Sequence, residues 1–261
     1  MKYPEPSIRV NVDVTNPGQF FACCGLLELA DRLWSGAEGW FESGAFHIAC
    51  GGTLGQLLNS LYAAKLEQVD LDDDTTSPLR LPLPRPLVLD WWHDERSGGS
   101  AFKTWAGRQQ VVAIACAMHG AIPRAVPLGP NVLLFAERLP DPNDPKKAVV
   151  PFYFDARRAA GATNLDLGFS PDVQGIDVQS FPVVELLCLI ALQRFRPAAR
   201  AYRTFVYQTW SDPHPPHTAA AIACGALDLP NVHAFTFRLL YRTKYLKGFL
   251  PSTPIHSRGD Q

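Results

Sequence analysis

Asn16-Pro17-Gly18-Gln19-Phe20-Phe21-Ala22-Cys23-Cys24-Gly25-Leu26-Leu27-Glu28-Leu29-Ala30 is the stretch on which the fold reading turns. Asn16 is a good N-cap, Pro17 suits a first helical turn, and Gln19 at the third position can reach back to the cap. The helix that follows is expected to bury Phe20, Cys23, Cys24, Leu27, Ala30 and Trp34 along one stripe. Glu28 and Arg32, four residues apart, pair on its outer side. Upstream, Ile8, Val10, Val12 and Val14 alternate with Arg9, Asn11 and Asp13, the period of a strand with one wet face from Ile8 to Val14. Downstream, Phe46 to Cys50 reads as a second strand. Thr53 and Gln56 form a capping box ahead of Leu54, Leu57, Leu58 and Leu61 at helical spacing.

The remainder continues the alternation. Asp70, Asp72, Asp73 and Asp74, followed by Pro78, Pro82, Pro84 and Pro86, read as a surface excursion near 67–86. Leu87 to Trp92 suggests a strand, and Ser100 caps an expected helix through Phe102, Trp105, Ala106, Ala113 and Cys116 to Gly120. Val132 to Arg138 and Val150 to Asp155 read as strands. The intervening Pro140 to Pro145 is too long and irregular for a tight hairpin turn. A loop is expected over 156–179, a helix from Phe181 to Phe195 with Val184, Leu187, Cys188 and Ala191 inward, and a strand from Phe205 to Trp210. A short helix from Pro216 to Ala226 and a last strand from about Ala234 to Tyr241 complete the pattern. The expected fold class is α+β: mixed α/β layers, strands and helices alternating, in a single compact unit over 1–261.

Of the 261 residues 47% are apolar, enough for a sizeable core, and the net charge of −1 gives no general attraction to nucleic acid. Met1 to Pro6 is polar with no apolar segment after it, and no run approaches the ~18 apolar residues of a span. A cytoplasmic location without membrane contact is therefore expected. Cys23, Cys24, Cys50, Cys116, Cys188 and Cys224 include no CxxC pair and lie mostly in apolar runs, as reduced core residues do.

The chain lacks a GxSxG elbow, a GxxxxGK[ST] phosphate loop and an HExxH motif. His214 and His217, with Cys224 beyond, come nearest to a metal site. Nothing close by completes a ligand set, so no metal or other cofactor is expected. His93-Asp94-Glu95 are adjacent and rarely point at one atom. Cys23-Cys24 falls near a helix start that would favour a thiolate, but on the apolar stripe. Gly51-Gly52 before Thr53 resembles an anion nest, a weak signal alone. No catalytic residue is assigned.

Charge placement is more informative. Residues 1–150 carry 17 acids and 13 bases. Between Ile190 and Leu250, eight basic residues (Arg194, Arg196, Arg200, Arg203, Arg238, Arg242, Lys244 and Lys247) face only Asp212 and Asp228. In the last strand Phe235, Phe237, Leu239 and Tyr241 share one face, and Arg238 and Arg242 the other. If that strand continues, Lys244 extends a row of charges about 7 to 14 Å apart, a spacing that suits phosphates. Tyr245 and Phe249 add stacking faces. The row reads equally as a solvated face or as partner to the acidic 70–74 loop.

Three phrases carry a family resemblance: the 16–30 stretch, Phe102-Lys-Thr-Trp-Ala-Gly107 with Gln109, and Tyr241-Arg-Thr-Lys-Tyr-Leu-Lys-Gly-Phe-Leu250. Together, from Ile8 to Leu250, they resemble the Csb-series CRISPR-associated proteins of type I-U, also called I-G. The opening also looks like that of the subtype's large subunits. The resemblance implies a large-subunit-like, non-catalytic component of the Cascade effector complex in antiviral defence. Its implied partners are the backbone and crRNA-processing subunits, the effector nuclease-helicase, and crRNA or target DNA. Arg238, Arg242, Lys244 and Lys247 are then the expected nucleic-acid contacts, with Arg194, Arg196, Arg200 and Arg203 as a second group. The Trp91-Trp92 pair, expected on the solvent side, and the two long loops are candidate docking surfaces. Two alternatives stay open: a crRNA-processing ribonuclease, with His93, His119 or His233 as base, and a protein-only adaptor.

Overall fold

The computed structural model describes residues 3–73, 77–91, 110–124, 128–141, 144–149, 151–158, 179–227, 229–242 and 245–255; at 141, 144–147, 241, 242 and 245–247 it describes the backbone. The first half holds β1 (Ile8–Asn11), α1 (Pro17–Trp34), β2 (Glu38–Glu42), β3 (Ala45–Ala49), α2 (Leu54–Ala63), β4 (Glu67–Gln68), β5 (Leu79–Leu81), β6 (Leu87–Leu89) and α3 (Val111–Gly120). The second holds β7 (Pro140–Asp141), β8 (Asp144–Ala148), α4 (Pro182–Ala191), β9 (Ala198–Ala201), β10 (Thr204–Trp210), α5 (Pro216–Ala223), β11 (Val232–Arg242), β12 (Tyr245–Phe249) and β13 (Thr253–Pro254). Short 3₁₀ turns occupy Gly129–Leu134 and Ala156–Arg158. Every sheet pairing is antiparallel: β1-β3-β2, β4-β5-β6, β7-β8, and the largest sheet, β12-β11-β10-β9, with β13 also on β11. The architecture is α+β. Among the described residues no helix is long and apolar enough to cross a membrane.

The helix α1 begins as its sequence spells. Asn16 is extended and its Oδ1 accepts from the Gly18 N–H at 3.1 Å. Gln19 does not close a capping box; its Oε1 accepts from the Asp13 N–H at 2.9 Å and so fixes the turn that enters the helix. That turn also ends β1 at Asn11 rather than Val14, because Asp13 Oδ1 captures both the N–H and the hydroxyl of Thr15. The expected single stripe is the larger correction. From Pro17 to Ala30 every residue of α1 is buried. Phe20 stacks on Tyr207 of β10 at 4.2 Å and on Phe41 of β2 at 5.4 Å between ring centroids, while Trp210 meets Phe41 edge-on at 5.0 Å. On another side α1 packs against α4, whose ten residues are themselves all buried.

Two helices without a solvent face can come this close only if one presents backbone. Gly25 does so: a Cβ there would overlap the carbonyl oxygen of Leu187 in α4. Gly18 stands likewise against the carbonyl of Phe154. The burial also changes the Glu28–Arg32 pair. The pair forms, with Arg32 Nε 2.8 Å from Glu28 Oε1, but Glu28 is only 2% exposed rather than outside.

Other departures have local causes. The strand β2 escaped the sequence reading although Ser43-Gly44, both at positive φ (49° and 73°), make the two-residue turn that joins it to β3. The 67–86 segment is less of an excursion than its composition suggests, since Leu79, Leu81 and Leu83 are buried. Trp91 is 4% exposed and belongs to the core, whereas Trp92 lies outside the described residues. In place of a strand at Val132–Arg138, Gly129 at positive φ and Pro130 start a 3₁₀ turn. Near Val150–Asp155 a side chain replaces the ladder: Glu185 accepts the N–H groups of Phe154 and Asp155 at 3.3 and 3.1 Å. The proline-rich Pro140–Pro145 segment, expected as irregular, instead contributes to the hairpin β7-β8. The expected helix start at Ser100 lies outside the described residues, and α3 is seen from Val111. Cys23, Cys24 and Cys188 are core thiols; Cys50 and Cys224 are half-buried and Cys116 is exposed.

Gly25→Ala is expected to cost about 1–3 kcal/mol or more, because backbone must move to admit the methyl. Gly120→Ala, at the end of α3 with nothing within 4 Å of the added carbon, should be neutral or stabilise by up to about 1 kcal/mol. Urea unfolding of the two variants beside the parent checks the contrast.

Candidate nucleic-acid interface

In the large sheet β11 alternates by period two over 235–239, whereas in β10 Phe205, Val206 and Tyr207 are all buried. Phe235, Phe237 and Leu239 of β11 point into the core with Phe205 and Tyr207 of β10, and Arg238 stands on the exposed side. Tyr207 anchors this face: its hydroxyl donates to the Val14 carbonyl at 2.6 Å and lies 2.7 Å from Ser252 Oγ. Burial pushes its pKa well above the ordinary tyrosine value.

One end of the sheet gathers cations. In the β9–β10 hairpin Ala201 faces Thr204, and Tyr202-Arg203 form the two-residue turn. Arg203 takes φ 58°, and its carbonyl accepts from the Leu239 N–H at 3.0 Å, locking the turn to β11. Its guanidinium carbon lies 4.6 Å from the centre of the Tyr202 ring. The register slips by one residue at Arg200, which bulges from the edge strand and is exposed. Thr204 pairs with Arg238 on its other side. Two strand spacings, about 10 Å, therefore separate the backbones at Ala201 and Arg238. Arg200, Tyr202 and Arg203, neighbours in the chain, are thus brought by strand pairing to the part of the sheet that carries the distant Arg238. Among the described residues neither Arg200 nor Arg238 makes an ion pair.

The rest of the expected basic set is distributed differently. Arg242 ends β11, the chain returns as β12 with Lys247 on it, and Lys244 lies outside the described residues. The continuous row through Lys244 is thus replaced by a hairpin that pairs Arg242 with Tyr245. Arg194 and Arg196 do not join Arg200 and Arg203. They follow α4, where Arg194 Nε and Nη2 donate to Glu28 at 2.6 and 3.2 Å, and Arg196 Nε donates to the Leu192 carbonyl at 3.4 Å. The Glu28 hydrogen bond pushes the Arg194 pKa above its ordinary value.

The residues weighed for chemistry are placed apart. Burial pushes the Cys23 and Cys24 thiols well up, away from thiolate character. At Gly52 the Trp34 ring fills the space where a side chain would be, and the following Thr53 N–H is taken by Gln56 Oε1 at 2.9 Å. His119 Nε2 lies 2.8 Å from the Leu61 carbonyl, His214 bridges Gly39 through its backbone, and His233 is exposed on β11 at the end opposite Arg238. His93 lies outside the described residues. Among the described residues no three metal-ligating side chains converge. Sequence reasoning missed Tyr202; an aromatic set between Arg200 and Arg203 was the available signal. It also missed buried Asp155, whose Oδ1 accepts from Asn16 Nδ2 at 2.8 Å and from the Arg157 N–H at 3.0 Å. No sequence period marks that contact.

Glu28→Gln removes the charge held by Arg32 and Arg194 and should destabilise the protein by about 1–3 kcal/mol. Arg194→Ala, with a side chain 41% exposed, should cost about 1 kcal/mol or less. Thermal unfolding at low and high salt checks the order. Comparison with known proteins yields no matching family model, no matching curated protein and no matching solved structure.

Proposed function

We propose that this protein is a non-catalytic subunit of a type I-U/I-G CRISPR surveillance complex, contacting crRNA or target DNA with the hairpin end of its large sheet. The convergence of Arg200, Arg203 and Arg238 on that end supports the nucleic-acid part of the reading. The chain's net charge of −1 means that binding depends on this local patch and not on a general field. Guanidinium groups about one to two strand spacings apart can each meet a phosphate, and such contacts position a strand without reading its sequence. The resemblance of the 16–30, 102–109 and 241–250 phrases supports the CRISPR assignment. The effector partners and antiviral role are proposed on the same ground.

Co-expression with the presumed backbone, crRNA-processing and nuclease-helicase subunits and a crRNA, followed by pull-down, tests the subunit reading. A stoichiometric complex containing crRNA is expected; recovery of the chain alone would count against it. In that complex Arg200→Glu with Arg238→Glu should weaken nucleic-acid binding about tenfold or more and flatten its dependence on salt. The same change with affinity and salt slope unaltered would remove the contact assignment.

A further inference from the structure

From the hairpin tip between β9 and β10 we infer the form of nucleic acid that this face takes: a single strand, with one base stacked on Tyr202. The inference rests on the nucleic-acid reading above and adds to it a ligand class and a specific residue.

Tyr202 is 81% exposed, against 7% or less for the core aromatics Phe41, Phe205, Tyr207 and Phe237. A phenol ring held so far into water is not part of the core that the described residues build. It is nevertheless placed. The Thr204 hydroxyl donates to the Tyr202 carbonyl at 3.3 Å, and Ala201 pairs with Thr204 across the turn. The Arg203 guanidinium lies over the ring at 4.6 Å, which leaves ring surface for another flat partner. Arg200 lies two residues before it on the bulge, and Arg238 pairs with Thr204, two residues after it.

An aromatic plate at a strand end that also carries several cations is the arrangement by which a strand is held through one stacked base and its neighbouring phosphates. A duplex cannot use the plate, because its bases are already stacked on one another and only its phosphates are presented. The cations alone serve duplex and single strand alike; Tyr202 favours the single strand. Stacking is tolerant of base identity, so the expected preference is for strandedness and not for sequence.

Fluorescence anisotropy with 12-nucleotide oligo-U and oligo-dT, and with a duplex of equal length, at low salt, tests this on the full chain and on the assembled complex. The single strands should bind more tightly than the duplex. Tyr202→Ala should weaken single-strand binding about tenfold while leaving duplex binding unchanged. Tyr202→Phe should keep the parent affinity, because the ring and not the hydroxyl does the stacking. Equal binding of all probes, unaffected by Tyr202→Ala but weakened by Arg238→Glu, would overturn the stacking inference and leave the basic face standing. Absence of binding by chain and complex alike would overturn both. Because Tyr202 is at an exposed tip, unchanged thermal unfolding of the alanine variant is expected, which ties any loss to the ring itself.

Discussion

The passage of α1 against α4 at Gly25 constrains everything around it. Neither helix keeps a wet face in the region of contact, so the two can approach only where a hydrogen atom stands in for a side chain beside the Leu187 carbonyl. With that side of α1 taken, its aromatic residues are left to meet strands. Phe20 contacts Phe41 of the small sheet and Tyr207 of the large one, and Trp210 reaches back to the Gly39 carbonyl at 2.7 Å. One helix thereby fixes the positions of both sheets relative to each other.

Burying a helix so completely also encloses its polar groups, and each has been given partners. Asn16 caps Gly18, accepts from the Ala156 N–H at 3.0 Å and donates to Asp155. Asp155 in turn holds Arg157, whose guanidinium carbon lies 3.5 Å from the centre of the Phe181 ring. At the other end Glu28 is clasped by Arg32 and Arg194. A buried carboxylate without such donors would be strongly destabilising; with them it ties α1, α4 and the 152–158 segment into one arrangement.

The same packing positions the exposed end of the large sheet. Core residues of β10 and alternate residues of β11 hold the strands, and the hairpin turn is bonded to β11 through the Arg203 carbonyl. Side chains on the other face are thus presented by a fixed platform. The backbone that carries Tyr202 and the three arginines is thereby held in place, which would lower the entropic cost of the proposed binding.

Much of the local structure was legible because short-range chemistry decides it. Asn16-Pro17 starts α1, Thr53 and Gln56 close the capping box at 2.9 and 3.3 Å, and alternation along 235–241 sends Arg238 outward. Ser43-Gly44 could have announced β2 as well. Other features depend on atoms far away in the chain. Glu28 is buried because α4 delivers Arg194, 166 residues on, to its carboxylate. Phe154 and Asp155 leave the strand pattern because Glu185 offers a better acceptor than a neighbouring strand. Arg194 and Arg200 look equivalent as neighbours in a basic run, yet an ion pair engages one and a bulge exposes the other. Caps, turns and the apolar face of β11 can be read along the chain, since they rest on contacts within a few residues. That Arg238 lies beside the hairpin carrying Arg200, Tyr202 and Arg203 comes instead from strand pairing, which depends on contacts far apart in the chain.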